Sequence, residues 1–144
     1  MRTIRLVFIS SLLFLASSFA HAQFLKVGNI RVYANAMPSS QLNAEMARQY
    51  GITRSASRAL LHVVVREGAP GKDKTLPAKI TAVAIRKSGE RSNINMQLTR
   101  EGQDIYYLGE LTISKNEAVN FEIITLIEKQ KPMRMTFLQE FFSQ

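Results

Sequence analysis

From residue 24 onward, short apolar runs follow one another at spacings of ~8–14 residues, each closed by glycine, proline or a polar cluster. Several of these runs alternate apolar with polar residues, the period of a strand with one buried face. The cleanest is 93–99, where Ile94, Met96 and Leu98 read as inward and Asn93, Asn95, Gln97 and Thr99 as outward. Strands are predicted over 24–36, 59–66, 79–87, 93–99, 105–113, 119–128 and 133–142. About seven strands joined by tight turns suit two stacked antiparallel sheets. The predicted fold is all-β: an immunoglobulin-like antiparallel β-sandwich with one short helix between the first two strands.

That helix is predicted over 42–49. Leu42, Met46 and Ala47 form one apolar stripe, and Asn43, Glu45, Arg48 and Gln49 face outward. Ser39 or Ser40 can cap its start, and Gly51 can close it in the left-handed conformation. At about two turns it needs packing to persist. Directly after it, the stretch 50–65 carries Arg54 and Arg58 on a loop and enters 60–65, the most apolar run after residue 22. Helix, cationic loop and buried strand meet there. Ile124, Leu126, Leu138 and Phe142 fall on outward positions, to be covered by the helix or left as a patch for a partner.

The first 22 residues read as a secretory leader. Arg2 and Arg5 open it, 6–15 is apolar but for Ser10 and Ser11, and Ala20-His21-Ala22 offers small residues for cleavage before Gln23. The apolar run is too short for a membrane span. The remaining 23–144 suits one domain with one core. Arg2 and Arg5 leave with the leader, so 17 of the 19 basic side chains stand against 11 acidic ones, a formal charge of +6. Export removes nucleic acid from the expected partners. Anionic lipid, cell-wall polymers and acidic proteins remain. No cysteine is present, so thiol chemistry and thiolate metal sites are excluded. His62 is the one histidine after the leader, and a histidine-based zinc site needs two or three. No metal and no cofactor is expected.

Few constellations carry chemistry. Arg54 and Arg58, with Arg48 just before them, can hold a carboxylate or phosphate bidentately, or can pin the loop to acidic neighbours. His62, between inward Leu61 and Val63, faces away from the core. Ser55, His62 and Asp104 would compose a hydrolytic set, but the serine lacks an elbow motif. Tyr106 and Tyr107 point to opposite faces of one strand. One of them fits a tyrosine corner, bonding to upstream backbone, and the other is free to meet a partner. Lys72-Asp73-Lys74 reads as a solvated loop tip.

Tyr50-Gly51-Ile52-Thr53-Arg54-Ser55 with Arg58-Ala59-Leu60-Leu61, then Ile105-Tyr106-Tyr107-Leu108 and 137–142, resemble a family of small exported Gram-negative proteins known only as a domain of unknown function. Tyr33-Ala34-Asn35-Ala36 resembles the same family. The resemblance covers nearly all of 23–144 and implies a periplasmic, immunoglobulin-like domain. It carries no activity. The expected function is a non-enzymatic periplasmic binding or accessory module with an envelope protein partner or an anionic ligand. Its contact surface is expected at Arg48, Arg54, Arg58 and Tyr106. Two other classes stay open: a hydrolase using His62, and a structural envelope protein with its basic face on anionic lipid.

Overall fold

The computed structural model describes residues 23–142; the leader lies outside the described residues. Ten strands form two antiparallel sheets. In the first, β1 (Gln23–Val27), β2 (Ile30–Pro38), β3 (Arg58–Glu67), β8 (Asp104–Thr112) and β7 (Gln97–Glu101) lie in that order, and the two-residue β4 (Lys74–Thr75) pairs with β3. In the second, the order is β10 (Met133–Phe141), β9 (Glu117–Leu126), β5 (Lys79–Arg86) and β6 (Arg91–Ile94). The sandwich expected from the sequence is what forms.

Alternation decides the core. Leu61, Val63 and Val65 of β3 turn inward with Val32 and Ala34 of β2, and meet Val119, Phe121 and Ile123 of β9. Phe121 stacks on Phe137, with ring centroids 5.1 Å apart, and meets Phe141 edge-on. The tyrosine corner falls to Tyr107, whose hydroxyl oxygen accepts the Ala78 N–H at 2.8 Å and so ties β8 to the start of β5 in the opposite sheet.

The expected strand count is low for local reasons. The first predicted strand is a hairpin: Gly28, at φ +60°, and Asn29 turn the chain between Val27 and Ile30. A glycine at the first of two turn residues is the type II′ signature, so the signal is present in the sequence. The helix therefore follows the second strand. The predicted strand 93–99 is divided too. Ile94 ends β6 in the second sheet and Gln97 starts β7 in the first, so the chain changes sheet at Asn95-Met96. This crossing lies over Gly109, which pairs with Leu61 and faces inward. Leu98, expected inside, stays largely exposed on the edge strand β7.

Helix α1 (Ala44–Tyr50) is capped by Asn43, not by a serine: the Asn43 side chain accepts the N–H groups of Glu45 and Met46 at 2.8 and 3.1 Å. Gly51 closes it at φ +66°. Ser39 is buried instead in a 3-10 turn, Ser39–Gln41, where its hydroxyl donates to the Thr53 carbonyl and accepts the Ser55 N–H. Leu42, just before the Asn43 cap, and Ala47 of the helix pack on Leu60, Met37 and Leu108, the outer face of the first sheet. The helix therefore leaves Leu126, Leu138 and Phe142 exposed on the far side, Leu138 at 61% and Phe142 at 64%, while Ile124 is half-buried.

Candidate functional site

Covering the first sheet with a seven-residue helix cannot fill its outer face. Between α1 and that face runs a groove of about 380 Å³. The strand register supplies its floor: Asn35 of β2 lies opposite His62, and His62 opposite Leu108 of β8. Met37, Val64 and Tyr106 continue the floor, and Leu42, Met46 and Tyr50 make the wall. At one end stand Arg66, Glu101 and Asp104.

Three rings interlock along it. Tyr50 meets Tyr106 edge-on at 5.9 Å, and Tyr106 meets His62 at 5.1 Å. Both tyrosine hydroxyls reach one Glu101 oxygen, at 3.4 and 3.5 Å. Tyr106 is only 9% exposed, because the helix lies over it, so it is no free surface tyrosine. Burial first, then Tyr50 and Glu101, push its hydroxyl well above the usual tyrosine range, and it stays protonated. Burial also lowers His62, so its imidazole is neutral at pH 7. Among the described residues neither His62 ring nitrogen makes a hydrogen bond. Ser55 does not line the groove; its hydroxyl pairs with that of Ser57 at 2.9 Å.

The groove's charged end is braced. Asp73, read from the sequence as part of a solvated tip, is held between Arg31 at 2.7 Å and Arg66 at 3.0 Å. Arg31 also donates to the Gly68 carbonyl, so the loop 68–73 is pinned to the sheet. The Arg66 hydrogen bond, more than the two guanidinium charges, holds the Asp73 carboxyl below its ordinary range.

None of the three arginines singled out in the sequence lines the groove. Arg48 is exposed in the last turn of α1. Arg54 donates to the Ser40 carbonyl at 2.9 Å, and Arg58 lies 3.6 Å from a Glu110 oxygen. The two anchor the loop at different points. A second concavity, of about 390 Å³, opens between the 3-10 turn and the chain's last strand, lined by Pro38, Ala56, Ile113, Lys115 and Phe141 among others. It brings no aromatic hydroxyl, imidazole or carboxylate together.

A family model described as Domain of unknown function (DUF4426) matches residues 24–144. The chain belongs to the DUF4426 family. A crystal structure of a DUF4426 protein from Pseudomonas aeruginosa PAO1 is similar to it at 26% identity and a TM-score of 0.73, covering 88% of this chain and 98% of that one. FetP of uropathogenic Escherichia coli strain F11, recombinantly expressed in the periplasm, shares the fold at 8% identity and a TM-score of 0.59, over 84% and 93% of the two chains. A copper-bound variant of the same FetP matches at 8% identity and a TM-score of 0.58, over 85% and 91%. No curated protein matches.

The DUF4426 domain thus offers an apolar groove with a few convergent polar groups, the usual make-up of a small-ligand site. Among its described residues, no group of three or more His, Cys, Asp or Glu side chains could hold a metal ion, and no helix is long and apolar enough to cross a membrane.

Proposed function

We propose that this DUF4426 domain is a non-enzymatic binding module of the bacterial periplasm, exported behind a leader cleaved after Ala22, and that the groove under α1 is its ligand seat. The observation that carries the reading is the groove's composition. Met37, Leu42, Val64 and Leu108 give an apolar lining, and Asn35, His62, Tyr50, Tyr106 and Glu101 give polar groups that converge on it. The leader pattern and the fold shared with FetP support the compartment.

The test uses protein purified from the cell envelope, whose first residue should be Gln23. It is titrated with small aromatic and aliphatic alcohols and amides while the methionine methyl resonances are followed. Shifts are expected at Met37, Met46 and the His62 ring, and Val64→Phe, which fills the floor, should abolish them. Shifts confined to the Lys115 concavity, or none at all, would refute the groove as the seat. An N-terminus reading Met1 would refute export.

A further inference from the structure

Three soft donors line the same groove. Met37 comes from β2, Met46 from α1 and His62 from β3. Met37 pairs with Leu60, and Asn35 with His62, so Met37 and His62 are diagonal neighbours on one face of the sheet. Their backbones are then ~7–8 Å apart, within reach of long side chains. Met46 lies one helical turn before Tyr50, whose ring rests on Tyr106, which rests on His62. Neither methionine is fully buried: Met46 is 42% exposed, and Met37, half-buried, packs at the edge of the Leu42, Ala47 and Leu60 cluster. The register sets Met37 beside the one histidine after residue 22, and α1 brings Met46 into the same groove.

Resting on the reading of the groove as the ligand seat, we infer that it binds a soft monovalent metal ion, Cu(I), through the Met37 and Met46 sulfurs and a His62 ring nitrogen. Thioethers select Cu(I) over harder ions, and a neutral imidazole is the form that ligates. All three donors are uncharged, so the site would hold a single positive charge in an apolar groove. Zinc sites usually take four ligands, commonly thiolate or several imidazoles, and the groove has neither. Asn35, directly across from His62, is placed to accept a hydrogen bond from the ring's other nitrogen, the support a ligating histidine commonly has. The Glu101 oxygen is already engaged by Tyr50 and Tyr106 and need not ligate. The donor set carries this inference; the fold shared with copper-bound FetP at 8% identity does not.

The test is anaerobic competition for Cu(I) between the purified protein and bathocuproine disulfonate, with Ag(I) as a redox-inert probe by NMR. One equivalent should bind, shifting the Met37 and Met46 methyl resonances and the His62 ring. Met37→Leu, Met46→Leu and His62→Gln should each weaken binding by about tenfold or more, at least the loss that supporting residues alone cause. Leucine nearly conserves methionine's volume, so the variants should fold. Met96→Leu, outside the groove, should bind as the wild type does. Absence of binding, or binding that survives the Met37→Leu/Met46→Leu double substitution, overturns the inference. If alcohols and amides still titrate the groove in that case, the binding-module reading stands without the metal; if they too fail, both readings fall.

Discussion

Gly109→Ala is the substitution with the most to reveal about this sandwich. Gly109 has ordinary backbone angles, so alanine is not excluded by conformation. Space is what excludes it. A Cβ there would stand 2.5 Å from Ile94 Cγ2, 2.5 Å from Met96 Sδ and 3.1 Å from the Asn95 carbonyl oxygen, all at the point where the chain changes sheet. Met96 is flexible and can swing away. Ile94 is β-branched and stiff, and the carbonyl belongs to the backbone, so these two must move together. Overpacking of this kind costs about 1–3 kcal/mol. Restricting the unfolded chain returns about 0.4–1 kcal/mol. The net expectation is a loss of about 1–2 kcal/mol, which for a domain this size lowers Tm by about 3–8 °C. Thermal unfolding followed by circular dichroism reads it. A second background sharpens the test. In Ile94→Ala the offending methyl is gone, so adding Gly109→Ala should cost less than it does in the wild type. A Gly109→Ala protein that melts at or above the wild-type temperature would refute the close-approach account of this crossing.

Three further outcomes are expected. Replacing Arg54 and Arg58 together by alanine should lower stability by about 1–2 kcal/mol, because the Ser40 carbonyl loses a charged donor and a buried Glu110 oxygen loses its counter-charge; a double variant melting like the wild type would make this loop a contact surface instead. Stability should also fall as pH drops from 7 toward 5. The unfolded chain protonates His62 near 6.5, whereas the folded chain resists until lower pH, so the unfolded state binds more protons in that window. His62→Gln should flatten the slope there. A separate loss should begin around and below the ordinary Glu117 and Asp73 values of 4.5 and 3.8, where carboxylates held down by Arg86, against burial, and by Arg66 and Arg31 must protonate. A slope between pH 7 and 5 unchanged by His62→Gln would assign it to other groups.

What can be read in advance follows from range. Period-two alternation is local, so the inward set of β3 and β9 and the outward placement of His62 are legible from the residues alone. The Gly28-Asn29 turn is also legible, but the apolar pattern runs straight across it and hides it. Asn43 outcompetes Ser39 as the helix cap because Ser39 is spent on two backbone groups of the loop at 53–55, a contact invisible until the fold brings them together. The same holds for Asp73, which looks solvated between two lysines but is claimed by arginines from other strands. Arginines stand out in the sequence through their charge. The groove does not, since its parts come from β2, α1, β3 and β8, and no spacing along the chain joins Met37 to Tyr106.

The order of pairing sets how this domain must be made. β3 pairs with β8, and β5 with β9, while β5 lies between the first two in sequence and β8 between the second two. Each sheet's long-range closure therefore encloses part of the other, and neither can finish first as an independent half. Such interleaving predicts one all-or-none transition and slow folding, roughly in the range of milliseconds to seconds, seen by stopped flow as a single phase. Until β8 arrives, one edge of the Leu- and Val-rich β3 stands open, so a nascent or truncated chain ending before residue 104 should aggregate rather than rest as a half-formed sandwich.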